Sequence, residues 1–117
     1  MSSNGQFVQH KKISTTEATI GTTASALNAH MFTLKPADFA SGALPRVSAW
    51  KSAGLGAIVI TIWERVGNNW NQLYSGGAAA TLTATTPQYI FTSYGTYAVA
   101  KASATTGVEV TVTQVRK

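Results

Sequence analysis

Alternation of apolar and polar residues with a period of two is the feature that most constrains this chain, because it is typical of β-strands. The clearest alternating segment is residues 57–65, in which three isoleucines share one face. The other face carries Val59, Thr61 and Trp63, so both faces are largely apolar. We therefore predict a central strand that is covered on both sides, on one of them either by the same chain or by a partner subunit.

Two hairpins organise the predicted strands. Residues 67–69 are Gly-Asn-Asn, which tolerate the positive φ angles of a tight turn, and residues 70–74 form the returning strand. Near the end of the chain, residues 95–103 alternate, residues 104–107 make a turn, and valines alternate with polar residues from Val108 onward. We predict that these last two strands pair as a second hairpin.

The rest of the chain predicts short strands and little helix. Many short strands separated by turns in 117 residues predict an all-β fold, a single-domain antiparallel β-sandwich that is either jelly-roll or immunoglobulin-like. We assign residues 13–117 to this domain and residues 1–12 to a flexible N-terminal arm. Further strands are expected at residues 7–13, 18–22, 31–34, 47–51, 81–85 and 89–92, and single helical turns at residues 23–29 and 36–40.

The composition is poor in charge. Nine Lys and Arg against four Asp and Glu give a net charge of +5, and charged residues make up 11% of the chain, compared with about 25% in an average domain. The basic residues are scattered, which does not favour a nucleic-acid-binding surface. The sequence has no cysteine for disulfide or thiolate chemistry, and no apolar run of about 18 residues that could cross a membrane.

Residues that could support catalysis are sparse. His10 and His30 are far apart in the sequence and do not form the close pair that is typical of a zinc site. The four carboxylates occur singly, and the chain has neither a nucleophile elbow nor a phosphate-binding glycine loop. We therefore predict a protein that is not an enzyme, with no catalytic residue, metal site or cofactor.

The aromatic residues of the middle third are the best candidates for binding. Such rings serve either as buried anchors of a core or interface, or as platforms on which sugar rings stack. We assign Trp63, which lies opposite the isoleucines, to a second core face or a subunit interface. Trp50, Trp70 and Tyr74 form the ligand platform of an alternative hypothesis, a carbohydrate-binding or host-attachment module.

The segment Gly95-Thr96-Tyr97 enters a strand and resembles the tyrosine corner of immunoglobulin-like sandwiches. The resemblance implies that Tyr97 closes the corner through its hydroxyl group and that Trp50 is the core tryptophan. The cysteine pair that marks a true immunoglobulin domain is absent from the sequence.

Over its whole length the chain resembles the small structural proteins of tailed bacteriophage virions, particularly capsid decoration (cement) proteins. Four features carry the resemblance. They are the polar N-terminal arm running into residues 13–27, the strand Trp70-Asn71-Gln72-Leu73-Tyr74 after a Gly-Asn turn, the corner Gly95-Thr96-Tyr97, and the small, cysteine-free composition rich in Ala, Thr and Gly. Phage tail and fibre-associated proteins share the same features.

The resemblance implies a non-enzymatic protein on the capsid surface of a virion, which binds and stabilises the shell. Its partner would be the major capsid protein or another virion protein, and the chain would form a homo-oligomer, with a trimer favoured. The N-terminal arm would bind by adding a strand to the sheet edge of a neighbour. The residues assigned to partner binding are Phe7, Val8, His10, Lys11, Lys12 and Trp63.

Overall fold

The computed structural model describes residues 11–14, 24–101 and 107–116. These ranges contain eleven β-strands, one α-helix and a 3-10 turn at Pro36–Asp38. In chain order the elements are β1 (Lys11–Ser14), α1 (Ala24–Ala29), β2 (Met31–Leu34), β3 (Ala43–Trp50), β4 (Ile60–Val66), β5 (Asn69–Gln72), β6 (Tyr74–Ser75), β7 (Ala78–Ala79), β8 (Thr81–Leu82), β9 (Gln88–Ile90), β10 (Gly95–Lys101) and β11 (Glu109–Arg116).

The strands form two antiparallel sheets and one small hairpin. Sheet A has the order β1-β11-β3-β9, and sheet B has the order β2-β10-β4-β5, with β8 also paired to β4. The strands β6 and β7 pair only with each other. The prediction of an all-β antiparallel sandwich in a single domain is confirmed.

Strand pairing decides between the two predicted topologies. The first strand pairs with the last, β2 with β10, β3 with β9, and β4 with β5. This nested pairing is that of a long two-stranded ribbon rolled into two sheets, which is the jelly-roll arrangement. In an immunoglobulin-like sandwich the first two strands are neighbours in one sheet. Here β1 and β2 lie in different sheets, so the fold is a jelly roll.

The main core lies between the two sheets. Alternate residues of β3 and β11 point inward from sheet A, and alternate residues of β4 and β10 point inward from sheet B. At its centre Phe91 contacts three aromatic rings, those of Phe32, Tyr89 and Tyr97, with centroid distances of 6.1, 5.0 and 4.5 Å. The period-two pattern of the sequence therefore specifies which faces meet in the core.

Helix α1 adds a third layer on the outer face of sheet B. Its Leu27 is fully buried against Ala98 and Ala100 of β10, with Trp63 and Trp70 packed at the margin. The two alanines leave room for the helix to approach the sheet closely. The prediction that the central strand is covered on both sides is confirmed for its inner face only. On the outer face of β4, Trp63 borders the cluster under the helix, Thr61 is half-buried, and α1 packs mainly on β10 and β5.

The first predicted hairpin is confirmed with slightly shifted ends. Strands β4 and β5 are antiparallel, and Val66 pairs with Asn69 across a two-residue turn. Gly67 has a φ of +63°, a left-handed conformation that glycine adopts without steric cost.

The second predicted hairpin is wrong. Strand β10 lies in sheet B between β2 and β4, whereas β11 lies in sheet A between β1 and β3. In both strands every second residue points into the core between the sheets, although the other face of β10 is also buried, under helix α1. That alternation is the same whether two strands pair in one sheet or face each other across a sandwich. Most of the predicted turn, residues 104–106, lies outside the described residues.

The corner at Tyr97 is confirmed, and the role implied for Trp50 is wrong. The Tyr97 hydroxyl lies 2.9 Å from Ser93 Oγ and donates to the Ser93 carbonyl oxygen at 3.3 Å. Trp50 is 59% exposed, because it ends β3 at a position that points away from the core. The local contact of a tyrosine corner is therefore formed here without the immunoglobulin topology.

Replacing Tyr97 by phenylalanine should lower the free energy of unfolding by about 1 kcal/mol at neutral pH, because the ring stays packed while its hydroxyl contacts are lost. Burial raises the pKa of the Tyr97 hydroxyl above its ordinary value of 10.0. The unfolded chain therefore loses this proton at a lower pH than the native protein does, so the contribution of neutral Tyr97 is complete below pH 10 and is lost as the pH rises further.

The loss of this contribution at high pH is tested by urea unfolding of the wild type and Tyr97→Phe at about pH 7 and about pH 10.5. The difference in stability between the two proteins should shrink at the higher pH. A difference that stays constant or grows would show that the hydroxyl is not buried in its neutral form.

Candidate binding surfaces

The outer face of sheet A is the first candidate surface. Helix α1 packs on β10 and β5 of sheet B, so the outward side chains of sheet A are half-buried to exposed. We call these side chains the open face: Leu44, Arg46, Ser48, Gln88, Ile90, Thr111, Thr113 and Val115.

Of the eight residues that define the open face, Arg46 alone is charged, but Glu109, two residues before Thr111 on β11, lies on the same outer side of sheet A. Arg46 Nε donates a hydrogen bond to Thr113 Oγ1 across the strand pair at 3.1 Å. Ser48 and Thr111 are directly paired at its centre, and Lys12 of β1 lies in register with Thr111. Covering hydroxyl and apolar groups costs less hydration free energy than covering charged groups, provided that the hydroxyl groups find hydrogen-bond partners.

A cleft at one end of the sandwich is the second candidate. It has a volume of about 390 Å³ and is lined by Ala49, Trp50, Lys51, Ser52, Gly54, Leu55, Ala84 and Pro87. One wall is the turn in which Gly54 N donates to Lys51 O at 2.8 Å. The other is the turn in which Thr83 N donates to Thr86 O at 3.0 Å and Thr86 N donates to Thr83 Oγ1 at 3.1 Å.

The remaining tryptophans are held by contacts within the chain. Trp63 is half-buried, and its Nε1 donates to Thr61 Oγ1 at 2.9 Å. Trp70 Nε1 donates to Asn28 Oδ1 at 3.1 Å, and the guanidinium of Arg65 lies 5.6 Å from the Trp70 ring centroid. Trp63 and Trp70 therefore help to attach helix α1 to sheet B.

The three rings of the predicted ligand platform are not brought onto one strand or sheet. Trp50 lies in sheet A, Trp70 on the edge strand β5 of sheet B, and Tyr74, which is 63% exposed, on the separate β6–β7 hairpin. Of these rings only Trp50 lines the cleft.

The predicted partner-binding residues lie mostly near the N-terminus. Phe7, Val8 and His10 are outside the described residues. Lys11 and Lys12 belong to β1, the edge strand of sheet A, and pair with Val112 and Thr111 of β11.

Groups for metal or acid–base chemistry are dispersed over the described part of the chain. Within the described ranges no group of three or more His, Cys, Asp or Glu side chains could hold a metal ion. None of the described helices has the length and apolar character needed to cross a bilayer.

Comparison with protein-family models, with curated proteins and with solved structures finds no match to this chain. Interpretation of these surfaces therefore rests on their own chemistry.

Sequence reasoning missed two parts of these surfaces. Asn28 accepts hydrogen bonds from both Trp70 and Arg65 Nη1, the latter at 3.4 Å, and no local pattern marks an asparagine at a helix end for that role. The cleft joins residues 49–55 to Ala84 and Pro87, which are brought together when Ala49 N donates to Pro87 O at 2.9 Å. The one sequence signal for the cleft was the naming of Trp50, with Trp70 and Tyr74, as a ligand platform.

Proposed function

We propose that this chain is a non-enzymatic structural protein of a virion, of the capsid decoration type, which binds a protein shell through the open face of sheet A. Jelly rolls are common in viral capsid proteins and in lectins, so the fold is compatible with this role by analogy. The observation that carries the proposal is the open face, a continuous outer sheet surface made mostly of uncharged side chains.

The charge distribution supports a shell with a neutral or acidic exterior. The whole chain carries a net charge of +5, which accelerates encounter with an acidic partner at low salt. The described side chains on the outer side of sheet A include only two charged groups, Arg46 and Glu109, so close contact buries few ions. Long-range attraction and short-range contact are therefore provided by different parts of the surface.

The size of the open face supports attachment at more than one point. Three strands about 4.8 Å apart and up to eight residues long give a face of about 400 Å². A stable interface buries about 800 Å² on each partner. A homo-oligomer, with a trimer favoured, or a second contact through Phe7, Val8 and His10 supplies the remaining affinity by raising the effective concentration.

The substitution Thr111→Glu places a charge at the centre of the open face and should weaken binding to the shell at least tenfold, because that charge is desolvated on docking. Binding is measured by co-sedimentation with shells assembled from the capsid protein encoded beside this gene. The matched control is Asn71→Glu, which makes the same charge change on β5 of sheet B.

Several outcomes count against the proposal. They are a gene neighbourhood without a capsid protein, no sedimentation of the wild type with mature shells, and equal binding by Thr111→Glu and the wild type. A loss of binding that is equal for Thr111→Glu and Asn71→Glu would point to net charge rather than to the open face.

A further inference from the structure

We propose that the cleft beside Trp50 is a saccharide-binding site that prefers acidic sugars, a function separate from docking on a shell. The indole of Trp50 is 59% exposed although most large aromatic side chains of the described chain are engaged in its cores. A tryptophan left this exposed at the mouth of a cleft provides a flat apolar surface for a ligand.

The lining of the cleft fits a sugar ring. Ala49 and Leu55, both buried, form an apolar base, and Ala84 and Pro87 extend the apolar wall. The Ser52 side chain adds a hydroxyl group that can donate or accept a hydrogen bond. One apolar ring face together with a few polar groups at the rim matches a pyranose, which has apolar C–H faces and hydroxyl groups at its edge.

The walls of the cleft are ordered before a ligand arrives. Each is a hydrogen-bonded turn, residues 51–54 on one side and residues 83–86 on the other. The backbone bond from Ala49 to Pro87 ties the two sides together. A site that is already formed spends less binding free energy on ordering its loops.

Charge indicates the class of sugar. Among the described residues Lys51 is the only charged one that lines the cleft, so a carboxylate on the sugar gains a direct partner. Glu109 is paired with Trp50 across the strands but does not line the cleft. Single-stranded nucleic acid also stacks on tryptophan, but it needs a basic groove along its backbone, and one lysine does not provide one.

The test begins with a glycan array that carries neutral, uronic-acid and sialic-acid glycans, probed with the protein displayed as a streptavidin-linked tetramer. We expect binding to acidic glycans, followed in solution by titration with sialyllactose or oligogalacturonate and with the neutral partners lactose and maltotriose. Trp50→Ala should reduce affinity at least tenfold, and Lys51→Met should remove the preference for the acidic member of each pair.

Controls separate the cleft from other exposed residues. Tyr74→Ala removes an aromatic ring that is exposed to a similar degree but lies outside the cleft, and it should bind like the wild type. Ala84→Tyr fills the cleft while keeping Trp50, so it should also abolish binding and covers the case in which Trp50→Ala does not fold.

The proposal is overturned if no glycan on the array binds, if Tyr74→Ala and Trp50→Ala lose binding equally, or if a single-stranded oligonucleotide binds in a Trp50-dependent way while glycans do not. An unchanged acidic preference in Lys51→Met overturns the assignment of that lysine. Saccharide binding that is lost in Ala84→Tyr but kept in Thr111→Glu distinguishes this site from the open face.

Discussion

Replacing Phe91 by alanine is expected to lower the free energy of unfolding by about 3–5 kcal/mol, the largest effect of any single substitution considered for this protein. Phe91 is 1% exposed and contacts the rings of Phe32, Tyr89 and Tyr97. Its removal leaves a cavity that these rings cannot fill without leaving their rotamers. Since small domains have about 5–15 kcal/mol of stability in total, the variant should unfold at a markedly lower temperature.

Ile90→Ala is the matched control for Phe91→Ala. Ile90 is the adjacent residue and points outward on the open face, so its truncation should change stability by less than about 0.5 kcal/mol. Thermal and urea unfolding, followed by circular dichroism, measure both variants. Similar losses of unfolding free energy in the two variants would contradict the inward orientation of Phe91 and the register of β9 against β3.

Replacing Leu27 by alanine is expected to lower the free energy of unfolding by about 2–4 kcal/mol. Leu27 is fully buried and is the buried residue of a six-residue helix, which is too short to persist on its own. Without this side chain, α1 should separate from Ala98 and Ala100. The fluorescence of Trp63 and Trp70 should then shift to longer wavelength, because both rings border the same cluster.

Ser25→Ala is the control for Leu27→Ala, since Ser25 is exposed on the same helix. Its stability should stay within about 0.5 kcal/mol of the wild type, and its tryptophan emission should not move. If Leu27→Ala unfolds like the wild type with unchanged emission, helix α1 does not cover sheet B. Both outer faces would then be open to a partner, and the lack of a covering helix would no longer distinguish the open face as the docking surface.

Much of the local structure follows from the sequence alone. Alternation over β4, β10 and β11 specifies which side chains point into a core, because successive residues of a strand face opposite sides. The β4–β5 hairpin also follows, because Gly67 permits a turn that joins two adjacent alternating segments.

The pairing of distant strands was decided only by the tertiary structure. Strands β10 and β11 are neighbours in sequence but pair in different sheets, and β1 pairs with β11 from the other end of the chain. An alternating strand has the same apolar face with any partner, so the pattern carries no information about which strand it will meet.

The two candidate surfaces likewise combine residues visible in the sequence with an arrangement that only the tertiary structure supplies. The sequence named Trp50 only together with Trp70 and Tyr74, and the cleft beside Trp50 forms because the jelly roll brings Ala84 and Pro87 against the end of β3. The open face is likewise made of residues with no shared motif, joined by the register of β3, β11 and β9. The sequence determined most strands and their apolar faces, and long-range packing decided which outer face was covered by helix α1 and which remained open.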